Sequence, residues 1–172
     1  MKIRLLPFLF TILALLSCET PTDYLEPGKD KKEGAAITNL EGTKWKVTSM
    51  IVGQEVSGVK NEADLFLIAE NCSKDDLVHF NAGGNFIYDE GPTKCDPDAP
   101  QQESGTWSLS ADKKKLTLTS NIINNTDSPI VYEAAIVNKN LTLTARETIS
   151  MPNPAGGEIK MTIYTIMGFT PL

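Results

Sequence analysis

Eight stretches of this chain alternate apolar and polar residues with a period of two. That period fits one backbone geometry, a half-buried β-strand whose side chains point to opposite faces in turn. In TKWKVTSMIV (Thr43 to Val52), Trp45, Val47, Ser49 and Ile51 share one face, and Lys44, Lys46 and Thr48 share the other. The pattern returns in LVHFN (Leu77 to Asn81), NFIYD (Asn85 to Asp89), GTWSLS (Gly105 to Ser110) and KLTLTS (Lys115 to Ser120). It continues in IVYEAAIV (Ile130 to Val137), NLTLTARE (Asn140 to Glu147) and EIKMTIYTIM (Glu158 to Met167). Proline cannot donate to a sheet ladder, and Pro92, Pro97, Pro100, Pro129, Pro152, Pro154 and Pro171 all fall between these runs or past the last one. The connectors AGG (Ala82 to Gly84), ADKK (Ala111 to Lys114) and NK (Asn138, Lys139) are tight turns, which make the strands they join antiparallel neighbours. A meander of eight strands has two exposed edges, and closure removes both. The expected fold is all-β: an eight-stranded antiparallel up-and-down barrel over residues 39–172. Its interior is wide enough to be filled by side chains or to hold one small ligand.

One segment interrupts the alternation. GQEVSGVKNEADLFLIAENC lies between the first two strands, and Asn61 with Asp64 three residues on resembles a helix cap ahead of the apolar ADLFLIA. A short helix or lid over one barrel mouth is expected here, with a buried extra strand as the competing reading.

The N-terminus reads differently. Lys2 and Arg4 precede LLPFLFTILALL, an apolar run that breaks off into ETPTDYLEPGKDKKEG, short of the roughly 20 residues a spanning helix needs. It is apolar all round and interrupted by Pro7, so it suits an export signal better than a core helix. Leu15, Leu16, Ser17 and Cys18 resemble the lipobox of bacterial lipoproteins. The resemblance implies that residues 1–17 are a signal peptide and that Cys18 carries the lipid, as diacylglycerol on its thiol and an acyl group on the new N-terminus. Two or three chains at ~0.8 kcal/mol per buried methylene anchor stably, where one is marginal. Residues 18–38 are polar, contain Pro21, Pro27 and Gly28, and read as a flexible tether.

Export agrees with the cysteines and the charge. Of 3 cysteines, lipid on Cys18 leaves Cys72 and Cys95, an even pair that reads as a disulfide in an oxidising envelope. His79 is the only histidine, too few soft ligands for zinc. The formal charge of −6 falls to −8 once Lys2 and Arg4 leave with the signal, which excludes nucleic acid as a natural partner.

LEGTKW, CSKDD, FNAGGNF, EGPTKC, ESGTWSLS, KKLTLT and VNKNLTLT together resemble the lipocalin-like domain of Gram-negative bacterial lipoproteins, over Leu40 to Thr144. The resemblance implies a lipocalin-like (calycin-type) barrel, a Cys72 to Cys95 bridge and a place in the cell envelope as an outer membrane lipoprotein.

No residue set points to catalysis. His79 is a lone histidine in strand alternation, and no G-x-S-x-G elbow or second histidine completes a triad. Asp75, Asp76, Asp96 and Asp98 could meet around calcium, but they lack the glycine and distal glutamate of an EF-hand loop, and turn capping is the simpler reading. Neither a cofactor nor a metal is expected. Two non-enzymatic functions remain. In the first, the barrel binds a small apolar or amphipathic ligand lined by Trp45, Phe80, Phe86, Tyr88, Trp107, Tyr132 and Met161. In the second, those residues fill the barrel, and the loops bind an envelope protein or a glycan.

Overall fold

The alternating runs form strands in the computed structural model, which describes residues 35–120 and 126–172. The strands are β1 (Thr43–Val56), β2 (Val59–Asp64), β3 (Leu77–Phe80), β4 (Asn85–Asp89), β5 (Gln102–Leu109), β6 (Lys115–Ser120), β7 (Thr126–Val137), β8 (Asn140–Pro152) and β9 (Glu158–Pro171). From β3 to β9 each strand pairs antiparallel with the next, β1 pairs with β3, and β1 pairs with β9 to close an eight-stranded barrel. The expected all-β barrel is therefore the observed one.

β2 was not expected from the alternation. It forms a hairpin on the upper half of β1, from Val56 opposite Val59 to Ile51 opposite Asp64. Its turn is Ser57-Gly58, both at positive φ (51° and 81°), the mirror-image turn whose twist suits a two-residue hairpin. The helix that follows, α1 (Leu65–Ile68), is a single turn. Asp64 caps it, with a side-chain oxygen accepting from the Phe66 N–H at 3.0 Å, while Asn61 is a strand residue opposite Gln54. The segment thus holds both the helix and the extra strand, but that strand is exposed.

Two local irregularities alter what the alternation implied. The register of β1 on β9 shifts between Val47 and Ser49. This bulge flips the rest of β1, so Met50 and Val52, not Ser49 and Ile51, continue the face of Trp45 and Val47. Strand β7 starts earlier than its apolar run and takes in Pro129, beside the register shift between Leu118 and Ser120 on β6. A missing N–H is tolerated where the ladder is already broken.

One end of the barrel is sealed. Ala35 bridges to Ile136, the Ile37 N–H donates to the Lys113 carbonyl, and the Gly42 N–H donates to the Phe80 carbonyl, so residues 35–42 cross the end that carries the tight turns. Ile37 and Leu40 are buried under it. The folded part therefore begins by Ala35, within the stretch expected to be tether, because two apolar side chains there reach the core. Above them lie Phe80, Phe86, Leu116, Leu141 and Leu143, each at most 1 % exposed, with Trp45, Tyr132 and Phe169 beside them. An accessible surface that small means no water-sized void touches them. Each such side chain stabilises the fold by about 1.5–3 kcal/mol.

Candidate functional site

The opposite end is open and uneven in height. Pairing of β7 with β8 stops at Glu133 opposite Thr144, but β8 stays paired with β9 up to Pro152 opposite Glu158. β9 in turn stays paired with β1 up to Met161 opposite Val56. The upper parts of β8, β9 and β1, with β2 beside them, therefore stand as a wall above the rest of the rim. Facing them on the lower rim are the connectors around β3, β4 and β5.

Directly opposed residues in an antiparallel pair share a face, so the register extends the core face up this wall. Above Leu143, Met167 and Met50 come Ala145, Thr165 and Val52, then Glu147, Ile163 and Gln54, then Ile149, Met161 and Val56. This face is mostly aliphatic yet only partly covered, with Ile163 44 % and Met151 36 % exposed. On the low side the same inward parity brings Asp76, Tyr88 and Glu103 together, Tyr88 being opposite both Val78 and Glu103. Arg146, Lys160 and Lys60 have the outward parity, so the upper inward rows of the described strands hold carboxylates and no cation.

Asp76 is a buried carboxylate that accepts a hydrogen bond from the Tyr88 hydroxyl. Burial raises its pKa above the ordinary carboxylate range; the Tyr88 bond opposes that rise, and Asp75, Glu90 and Asp89 reinforce it. Burial also pushes the Tyr88 phenol up, with the Asp76 bond and the charges of Asp76, Glu90 and Glu103 adding to it. Burial thus makes Asp76 harder to ionise than an ordinary carboxylic acid and Tyr88 harder to ionise than an ordinary phenol.

The disulfide holds the low rim. Cys72 and Cys95 are bonded, with Cα atoms 5.1 Å apart, joining the 3-10 turn after α1 to the β4–β5 connector. Asp75 accepts from the Thr93 N–H at 3.1 Å across the same junction, and Asp96 accepts from the Asp98 N–H at 2.9 Å within its own turn. These carboxylates cap loops, and the sulfurs nearest Glu70 are spent in the bridge rather than offered to a metal.

The expected lining residues divide between floor and mouth. Trp45, Phe80, Phe86 and Tyr132 belong to the filled core, and Trp107 packs against it at the sealed end, edge-on to Phe80 with ring centroids 5.6 Å apart. Both indoles are satisfied, Trp45 Nε1 donating to Thr43 Oγ1 at 2.7 Å and Trp107 Nε1 to the Asn81 and Asn85 carbonyls. Only Tyr88 and Met161 reach the open end. α1 is not a lid over it: Phe66 lines a cleft with Lys46 and Thr170, an outward-facing pair, so the helix lies on the outer wall. Cys18 lies outside the described residues. Alternation alone missed the inward Asp76 and Glu103, because neither lies within an alternating run. Extending the parity of Val78 and Trp107 by one step finds Asp76, and by two steps finds Glu103.

His79 offers no catalytic arrangement. Its ring faces outward beside Lys44; burial, then Lys44, lowers its pKa, and Nε2 has no hydrogen-bond partner among the described residues.

No curated protein and no solved structure matches the chain. The model of the lipocalin-like domain family does match, over residues 40–147, which takes in β1 to β7 and the pairing half of β8. Members of that family are generally not enzymes. Together with the closed eight-stranded meander, this match places the chain in the lipocalin-like domain family.

Proposed function

We propose that the mature protein is anchored through lipid on Cys18 at the outer membrane and holds one small apolar or amphipathic molecule in the open mouth of its barrel, without catalysing a reaction on it. The observation that carries this reading is the tall wall. Ile149, Met161, Ile163 and Val52 continue the core face beyond the filled interior and are left partly bare. A sheet face of that kind gains stability only when something apolar covers it. The ligand then rests on the filled floor rather than deep in the barrel, with Tyr88 and Met161 in contact and Trp45, Phe80, Phe86 and Tyr132 beneath. Its polar end is neutral or cationic, because the inward groups near the mouth are Asp76, Glu103 and Glu147.

The filled floor also favours a second reading, in which the mouth is vacant and the disulfide-tied loops bind an envelope protein or glycan. Titration separates the two. The unlipidated chain is titrated with fatty amines, fatty acids and membrane-extracted lipids, with Trp45 fluorescence as reporter. We expect binding at roughly micromolar Kd, about 8 kcal/mol, favouring the amines, and its loss in Ile163→Asp. Binding that is absent, or unchanged in Ile163→Asp, leaves the loop-mediated module.

A further inference from the structure

The outer wall carries a second feature of a different kind. Between α1 and the lower part of β1 and β9 lies an open cleft of about 360 Å³. Phe66 and Leu172 give it an apolar surface, Lys46 and Lys74 border it, and no carboxylate side chain of the described residues lines it. Next to it stand Leu67 and Ile68, 74 % and 81 % exposed, and Leu172 is 70 % exposed. Single exposed aliphatic residues need no explanation. Three gathered about one cleft with two lysines do, particularly when two are consecutive in a one-turn helix that Asp64 caps in place. The Lys74 ammonium reaches back to the Leu67 carbonyl at 3.4 Å, so charge and aliphatic tip sit together.

The residues between Cys18 and Ala35 reach some 50 Å when extended, ample for this wall to meet the bilayer.

We propose that this wall docks on the bilayer to which Cys18 holds the protein, the cleft seating the anionic head of one phospholipid between Lys46 and Lys74 while Leu67, Ile68 and Leu172 enter the acyl layer. The pairing is one of complementary chemistry, aliphatic tips for the hydrocarbon boundary and ammonium groups for phosphate. It rests on the anchor reading for its biological setting, but not for its test.

The test uses the chain from residue 18 onward as Cys18→Ser, which carries no lipid, co-sedimented with vesicles of phosphatidylcholine alone or mixed with phosphatidylglycerol. Binding to the mixed vesicles is expected, with a drop of about tenfold or more in Leu67→Ser/Ile68→Ser. Lys46→Gln/Lys74→Gln should remove the preference for the anionic vesicles. Because all four side chains lie at or near the surface, the variants should keep the parent's circular dichroism and melting curve. No binding to either vesicle, or binding that neither double variant changes, overturns the proposal and leaves the anchor reading untouched.

Discussion

Tyr164 lies across Gly53 on the outer face of the tall wall, so closely that a methyl group added at Gly53 would stand 2.5 Å from the ring. The ring is 2 % exposed although it points outward. Arg146 stacks over it, its Cζ 5.1 Å from the centroid, and the Tyr164 hydroxyl donates to Glu62. These four residues come from β8, β9, β1 and β2 and form one row across the wall. The row fastens β2, which among the described strands pairs only with β1.

Gly53→Ala should therefore destabilise the protein by about 1–3 kcal/mol, since the ring must leave its place to admit the methyl. The effect should concentrate in β2, seen as faster amide exchange from Val59 to Asp64 than in the parent. Tyr164→Phe keeps the ring and loses only the bond to Glu62, so it should cost less, about 0.5–1.5 kcal/mol. If Gly53→Ala melts with the parent and exchanges at the same rate, the row does not brace the hairpin.

Cys72 and Cys95 are separated by 23 residues, a span that includes β3 and β4. Closing a loop of that size restricts the unfolded chain by roughly 3 kcal/mol. Cys72→Ser is expected to lower the unfolding free energy by about 2–4 kcal/mol in urea, and to loosen the low rim first. Two alkylatable thiols in the unreduced, denatured parent would contradict the bond itself.

The strands were legible because a period of two survives wherever one face is buried. All eight alternating runs are barrel strands, and the turn at Asn138 and Lys139 takes the positive φ its length demands. β2 was hidden for the same reason reversed. All of its residues but the last are exposed, so burial imposes no alternation on it, and only the Ser57-Gly58 turn betrays it. The bulge after Val47 left no composition signal either, because Ser49 and Met50 each suit either face. Its consequence is large: one added residue reassigns the upper half of β1, and with it half of the candidate site. What alternation leaves open is depth. Aromatic residues at inward positions can line a space or fill it, and which they do depends on how several of them meet, which no single strand encodes.

Asp76 makes a pH-dependent contribution whose sign follows from its environment. Its carboxyl titrates above the ordinary value in the folded protein, so between about 3.9 and that raised value the folded state holds a proton the unfolded state has released. Its stabilising contribution is therefore fully present below the unfolded pKa and is lost as pH rises through the folded one. Asp89 works the other way. Burial raises its pKa, but hydrogen bonds from Gln101, Gln102 and the Gly91 N–H outweigh that and lower it, so the parent's curve mixes the two. Asp76→Asn isolates the first. The amide oxygen still accepts from Tyr88, so at neutral pH the variant should match or exceed the parent to within about 1 kcal/mol. Its advantage should grow from about pH 4 to neutrality in urea midpoints. A variant that is far less stable at neutral pH, with a curve parallel to the parent's, would show that the charged carboxylate is needed rather than tolerated.

The anchor is the prediction on which the protein's setting depends. Lys2 and Arg4, an apolar run too short to span and Leu15-Leu16-Ser17-Cys18 together resemble a lipoprotein leader, and the described fold begins by Ala35. Expressed in a Gram-negative host, the full chain should take up labelled palmitate and partition into detergent, because two or three acyl chains hold where one does not. Cys18→Ala should take up none and retain its leader. Its folded domain should be unaffected, since Cys72 and Cys95 remain to form their bridge and Cys18 is not needed for it. That last expectation gives the experiment its control. A Cys18→Ala protein with the parent's melting temperature and no label attributes the loss to the attachment site and not to misfolding, whereas a parent that stays in the aqueous phase without label shows that the chain is not a lipoprotein.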